Sequence, residues 1–199
     1  MPVINIAKLQ KKVRKELDED RYRHTLGVMY IAAALAMRYH CDLNDVQVAG
    51  LLHDCAKCIP NDKKIRLCQK YDIPIRDVEM RAPSLLHSKL GAYLAKTVYH
   101  VDNEEICSSI LWHTTGKPEM TMMEKIIFLA DYIEPMRFKA RNLDLIRYEA
   151  FTDIDHAVYL TLRDTLSYLG DNTDAMDENT LLAFEYYQDL MDNRAKGTN

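Results

Sequence analysis

The apolar residues of this chain recur at the helical spacing of about 3.6 residues along nearly its whole length, and this pattern constrains the fold more than any other feature. No segment shows the sustained apolar–polar alternation that is typical of a half-buried strand. Glycine and proline occur six times each in 199 residues, which is about half of their average usage. A β-sandwich or barrel would need more turn-forming residues, so the sequence predicts an all-α protein.

The same pattern places the individual helices. They are expected at approximately residues 3–17, 21–39, 42–59, 61–71, 84–99, 103–113, 121–134, 153–169 and 178–193, with one or two turns at 75–81. Thr121 and Glu124 give the clearest start signal, a capping box, while Pro135 and Gly170 mark two helix ends. We therefore expect a single domain of roughly eight to eleven helices over residues 1–193 and a frayed tail at 194–199.

Charge, hydropathy and cysteine usage exclude several classes of protein. With 26 basic and 30 acidic residues the net charge is −4, which argues against a sequence-independent nucleic-acid binder. The longest apolar run, residues 26–37, has 12 residues, fewer than the ~18 of a membrane helix. The five cysteines are irregularly spaced, and lysines 8, 11 and 12 interrupt any secretory leader. A cytoplasmic protein with reduced thiols is expected.

The adjacent His53 and Asp54 follow an apolar stretch, where an ionised carboxylate is costly unless it is paired or binds a metal. A buried hydrogen bond between the two residues would explain an isolated pair. However, further ionisable residues lie on other predicted helices among apolar neighbours: His24, His87, His113 and Asp131. Such a set indicates a shared centre, and imidazoles with carboxylates suit Fe²⁺, Mn²⁺ or a similar ion.

Two further sequence signals lie near this pair. Lys57 lies one helical turn after Asp54, so it is expected to hold a phosphate beside the metal or else to be a solvated lysine. Cys55 and Cys58 have the spacing of a zinc or redox motif, but no second pair and no βαβ pattern accompany them. We interpret them as ordinary thiols.

Five sequence strings taken together resemble one family. They are RYRHTLGV, AGLLHDCAK, HSKLGA, WHTTG and EKIIFLADYIEPMR, and they lie between residues 21 and 137. The order of His and Asp residues in them resembles the ligand order of the HD-domain metal-dependent phosphohydrolases. The strings themselves are similar to those of the YqeK family, bacterial hydrolases that split diadenosine tetraphosphate symmetrically into two ADP.

The resemblance implies roles for particular residues. It implies that His24, His53, Asp54 and Asp131 hold iron, and that His87 and His113 face the phosphates or hold a second ion. Asp54, His87 and His113 are therefore expected to carry the catalysis, together with Lys57 because of its place one helical turn after Asp54. The positions expected near the bound nucleotide are Arg21, Thr114 and Arg137, together with Thr173 and Asp174 in the segment before the last helix.

The sequence leaves other functions of this site open. The site could hydrolyse another nucleotide, such as a nucleoside triphosphate or a cyclic dinucleotide, or it could belong to a nucleotide-binding regulatory module without turnover. The expected partner is a small nucleotide, with no nucleic acid or membrane, and a helical surface of this kind could form a homodimer.

Overall fold

The computed structural model describes residues 3–170 and 176–197, and within them the chain forms eleven α-helices, one short 3₁₀ helix and no strand. The helices are α1 (Ile6–Val13), α2 (Glu19–Tyr39), α3 (Leu43–Leu52), α4 (Asn61–Lys70), α5 (Asp77–Arg81), α6 (Leu86–Thr97), α7 (Glu104–Trp112), α8 (Met122–Ile133), α9 (Leu143–Thr152), α10 (Ile154–Leu169) and α11 (Glu178–Gly197), with the 3₁₀ helix at Pro83–Leu85. The predicted all-α class is confirmed.

Local capping signals explain where several helices begin. Asp42 caps α3 by accepting from the Asp45 backbone N–H. Thr121 and Glu124 form the predicted capping box of α8, each side chain accepting from the other residue's backbone N–H. These caps satisfy N–H groups that the first helical turn leaves unpaired.

The structure differs from the predicted elements at four places. Helix α1 covers Ile6–Val13 rather than residues 3–17. Helix α3 ends at Leu52 rather than near residue 59, because tight turns with bonds such as Cys55 N–H to Leu52 O and Lys57 N–H to Asp54 O follow it. Helix α9 was not predicted, although Leu143, Ile146 and Ala150 bury one of its faces. Helix α11 continues to Gly197, beyond the predicted end at residue 193.

Helix α2 is the central element of the core. It is the predicted core helix, it packs against α3 and α8, and its fully buried residues include Val28, Ala32 and Leu35. A Cβ atom at Gly50 of α3 would lie only 2.9 Å from the Met29 Cα of α2. The absence of a side chain at Gly50 therefore allows α2 and α3 to approach closely.

A smaller core lies between α4 and α6, where Ala56, Cys68, Leu86 and Leu90 are buried together. Helix α6 also packs on α7, and α7 packs on α3 and α8. These contacts bring the C-terminal ends of α3 and α7 to the same side of α2. None of the described helices has the length and apolar character needed to cross a membrane.

Candidate metal centre

Six buried or half-buried ionisable side chains converge at one point of the bundle. His24 comes from α2, His53 and His113 cap the C-terminal ends of α3 and α7, and Asp54 follows His53 in the first turn after α3. His87 lies in the first turn of α6 and Asp131 near the end of α8. The structure thus brings together every residue that the sequence predicted as a metal ligand.

Asp54 occupies the middle of this group, and its two carboxylate oxygens face different neighbours. Oδ2 lies 3.4 Å from His53 Nε2 and 3.8 Å from His24 Nε2. Oδ1 lies 3.2 Å from His87 Nε2 and 3.6 Å from His113 Nε2. One buried carboxylate therefore connects a His24–His53 half of the site with a His87–His113 half.

Backbone carbonyls fix the orientation of three of these imidazoles. The Nδ1 atoms of His53, His87 and His113 lie 2.8, 2.6 and 2.7 Å from the carbonyl oxygens of Gly50, Ser84 and Ile110, each three residues earlier in the chain. A carbonyl only accepts, so Nδ1 carries the proton. With Nδ1 engaged in this way, the Nε2 atom of each ring faces the centre, as in metal-binding histidines.

The donor set fits a divalent cation. His24 Nε2, His53 Nε2 and Asp54 Oδ1 are buried and make no hydrogen bond of good geometry among the described residues. Two of them nevertheless lie close to another ligand atom, His24 Nε2 at 3.0 Å from Asp131 Oδ1 and Asp54 Oδ1 at 3.2 Å from His87 Nε2. Unpaired buried polar atoms are costly, and a cation shared among them removes that cost. Two groups have ligand atoms within 4.8 Å of one another, namely His24, His53 and Asp131, and His53, Asp54 and His113. Mixed nitrogen and oxygen ligands suit a borderline or hard ion.

The protonation states of the site follow from its surroundings. Burial alone would raise the pKa values of Asp54 and Asp131, but the neighbouring imidazoles hold both pKa values well below the usual range. Burial lowers the pKa of His87 to about 4. The carboxylates are therefore ionised and His87 is neutral near pH 7, which are the forms that bind cations.

Lys57 and Thr114 border the His87–His113 half. Lys57 Nζ lies 3.3 Å from His87 Nε2, and Thr114 Oγ1 lies 3.1 Å from His113 Nε2. Lys57 is half-buried beside the centre, in the turns that follow α3 rather than on that helix. Its expected contact with a phosphate stays a prediction.

Two arginines flank the centre on the side of Asp131. Arg21 donates from Nη1 to Asp54 Oδ2 at 2.8 Å, and Arg137 donates from Nη2 to Asp131 Oδ1 at 2.9 Å. Both guanidinium groups are partly exposed, so each can contact a bound anion while it remains paired with a buried carboxylate. Thr173 and Asp174 lie outside the described residues.

Glu134 contributes to the site and was not predicted. Its side chain is buried, and Oε1 lies 3.0 Å from His24 Nδ1. The Glu134 and Asp131 carboxylates raise the pKa of His24 against the opposing effect of burial. Its position three residues after Asp131 could have predicted this role, because that spacing places both carboxylates on the same side of the chain. Gly27 makes room for it, since a Cβ there would lie 2.6 Å from Glu134 Oε2.

The cysteines form no metal or redox site within the described residues. All five are free. Cys55 is buried and its thiol donates to the Gly91 carbonyl, whereas Cys58 is exposed and donates to Asp18. The interpretation of both as ordinary thiols stays a prediction.

Comparisons with known proteins agree on one family. The HD-domain family model matches residues 21–136. The symmetrical bis(5'-nucleosyl)-tetraphosphatase of Bacillus subtilis (strain 168) is 34% identical over 174 residues, which is 87% of this chain and 92% of that protein. The protein of the same name from Halalkalibacterium halodurans is 34% identical over 91% of this chain and 96% of its own length.

A solved structure supports the same relationship at the level of the fold. The crystal structure of a predicted HD superfamily hydrolase involved in NAD metabolism from Clostridium acetobutylicum matches with a TM-score of 0.89. It is 36% identical in sequence, and the match covers 94% of this chain and 99% of that one. The arrangement of helices around the centre is therefore shared by a relative of nearly the same length.

Proposed function

This chain belongs to the HD-domain family, within its YqeK group, and we propose that it is a metal-dependent hydrolase that cleaves diadenosine tetraphosphate symmetrically into two ADP. The observation that carries the proposal is the convergence of four histidines and two aspartates in a chain about one-third identical to symmetrical tetraphosphatases over most of its length.

The ligands proposed for the first ion are His24, His53, Asp54 and Asp131, while His87 and His113 either contact phosphate or hold a second ion. The unpaired Nε2 and Oδ1 atoms support this assignment. When bound, such an ion lowers the pKa of adjacent water and draws charge from phosphate oxygens. Iron is the ion we propose, because the resemblance to the YqeK family implies it, and a set of two imidazoles and two carboxylates suits Fe²⁺ as well as Mn²⁺.

The chain's own residues neutralise and orient the polyphosphate. Lys57 and Arg137 lie on opposite sides of the centre, beside His87 and Asp131 respectively. Their cationic groups stabilise the negative charge carried by the phosphates as the bond to the leaving ADP breaks. Thr114 is placed to donate its hydroxyl proton to a phosphate oxygen next to His113.

Water activation does not require a separate strong base in this arrangement. Asp54 and Asp131 are ionised, and their carboxylate oxygens can accept a hydrogen bond from a water molecule at the centre. Because ADP is a good leaving group, a strong general acid is not needed either. The chain acts mainly by positioning and by electrostatics.

Product analysis tests the proposal. The protein is purified without oxygen, its metal is quantified, and diadenosine tetraphosphate is hydrolysed in water enriched in oxygen-18. We expect ADP as the sole early product, with label on the β-phosphate of one ADP per turnover. Equal early yields of AMP and ATP would contradict symmetrical cleavage. Rapid hydrolysis of a nucleoside triphosphate or a cyclic dinucleotide, with none of diadenosine tetraphosphate, would favour a different HD hydrolase.

A further inference from the structure

A cleft leads away from the candidate metal centre on the side of Asp131. An inner cavity of about 120 Å³ has Asp131 and His113 in its wall, and it shares Tyr132, Arg137 and Thr165 with a second, larger space of about 380 Å³. We call this larger space the outer cleft, and its lining includes Tyr132, Arg137, Lys139, Arg141, Asp164 and Tyr168. The outer cleft therefore opens directly from the centre.

The outer cleft is cationic, although the chain as a whole is acidic. Lys139 and Arg141 form no ion pair with any acidic side chain in the described part of the chain. The one acidic residue of the lining, Asp164, is already bound by Asn142 Nδ2 at 2.8 Å and by Arg163 at 3.0 Å. An anion entering the cleft would meet cations with uncommitted charge.

The outer cleft also presents an aromatic surface. Tyr168 is 87% exposed, so its ring contributes little to the core. Tyr132 lies half-buried in the lining. Exposed aromatic rings next to cationic side chains are the combination that binds a nucleotide, since the ring stacks on the base while the cations hold the phosphates.

A second opening at the centre lacks the aromatic surface and is more acidic. Its lining carries the cations Arg21 and Arg137, but also Asp18, Asp20 and Glu134, and no Tyr, Phe or Trp. Acidic side chains repel phosphate, and a nucleobase finds no large aromatic ring there. Of the two openings, the outer cleft is better suited to bind a nucleotide.

We infer that the outer cleft binds one nucleoside half of the substrate, with Tyr168 stacked on its base and with Lys139 and Arg141 on its phosphates. The inference rests on the proposed function, because a dinucleotide that is cut at its central bond must extend away from the reacting phosphorus in both directions. It adds three residues to the substrate-binding set, none of which contacts the metal centre.

Steady-state kinetics of Tyr168→Ala with diadenosine tetraphosphate test the inference. Loss of one base–aromatic stack is expected to raise KM at least about fivefold. The kcat is expected to stay within about twofold of the wild-type value, because Tyr168 does not touch the centre. Tyr168→Phe should restore the wild-type KM, and Tyr30→Ala, at a similarly exposed tyrosine of α2, should leave KM unchanged.

Competitive inhibition by inorganic tetraphosphate measures the binding of the phosphates alone. It therefore separates the contribution of base stacking from that of the cationic side chains. Its inhibition constant should be the same for Tyr168→Ala and for wild type, because it carries no base. The double substitution Lys139→Ala and Arg141→Ala should raise that constant several-fold. A KM of Tyr168→Ala within twofold of the wild-type value would overturn the inference, as would an equal change in the inhibition constant of tetraphosphate.

The test distinguishes this inference from the proposed function. If the wild-type protein releases ADP from diadenosine tetraphosphate and Tyr168→Ala behaves identically, only the assignment of the outer cleft is wrong. If the wild-type protein does not hydrolyse any dinucleoside polyphosphate, the proposed function fails and the inference fails with it.

Discussion

At the scale of single residues, Asp54 connects the two halves of the candidate centre. Its Oδ2 faces His24 and His53, its Oδ1 faces His87 and His113, and Arg21 neutralises part of its charge. A buried carboxylate is costly unless it is paired or binds a cation, and these neighbours offset that cost. Because Asp54 faces both halves, its loss is expected to disturb the centre more than the loss of any one imidazole.

We predict that Asp54→Ala abolishes both metal binding and hydrolysis while the protein remains folded. The substitution removes a ligand atom from each half of the centre, and the main core around α2 does not include Asp54. Metal content by elemental analysis, far-UV circular dichroism and product release measure the three properties. Asp62→Ala, at an exposed acidic residue of α4, is the control and should match wild type. Full activity in a folded, metal-free Asp54→Ala protein would exclude the metal mechanism.

Substitution of His87 or His113 should lower turnover without removing the first ion. His87→Ala and His113→Ala are each predicted to lower kcat about 100-fold or more, the size expected for loss of one electrostatic contact to the reacting group. The first ion should remain at nearly one per chain, because His24, His53 and Asp131 are untouched. Complete loss of metal in either variant would show instead that two ions bind as a tightly coupled pair.

At the scale of secondary-structure elements, the close approach of α2 and α3 positions the ligands. Helix α2 carries His24, and α3 ends at His53, whose Nδ1 is bound to the carbonyl oxygen of Gly50. Gly50 also faces the backbone of Met29. One glycine therefore sets both the distance between the helices and the orientation of a proposed ligand.

Gly50→Ala is predicted to destabilise the protein by about 1–3 kcal/mol, the usual cost of overpacking a core. The added Cβ would lie 2.9 Å from the Met29 Cα, a backbone atom that cannot turn away. Urea unfolding with and without metal measures the change, and metal affinity should fall as well, since His53 would move. The matched control is Gly197→Ala in α11, where a Cβ meets no atom within 4 Å. Equal stability of Gly50→Ala and wild type would contradict the proposed helix contact.

At the scale of the whole molecule, the candidate centre joins parts of the chain that are distant in sequence. Its residues span positions 24 to 131 and come from α2, α6, α8 and the ends of α3 and α7. The unfolded chain does not hold these side chains together, so metal binds mainly to the folded state. Binding energy at the centre is then also folding energy.

Removal of metal is predicted to lower the melting temperature of the wild-type protein by about 5–10 °C. A ligand at 100 times its Kd stabilises the folded state by about 2.7 kcal/mol, and each kcal/mol corresponds to about 2–4 °C for a chain of this size. Thermal unfolding with and without a chelator measures the shift, which should be reversed by added Fe²⁺ or Mn²⁺. Asp54→Ala should show no shift. An unchanged wild-type melting temperature after verified metal removal would mean that the ion contributes nothing to folding.

Local sequence patterns were sufficient to predict the helical class, most helix starts and the six ionisable residues that converge at the candidate centre. Periodicity and capping are local properties, so Asp42 and Thr121 could be recognised as helix caps from neighbouring residues alone. The ligands could be identified because ionisable side chains are rare among buried apolar neighbours.

The arrangement of these residues depends on contacts that form only when the helices pack together. The end of α3 at Leu52 and the contact of Glu134 with His24 depend on packing between helices, which no local pattern encodes. The position of Asp54 between the two halves of the centre also depends on this packing, and so does the outer cleft beyond Arg137. Distances between side chains on different helices are set by the close packing of the whole core, and therefore appear only once the chain is folded.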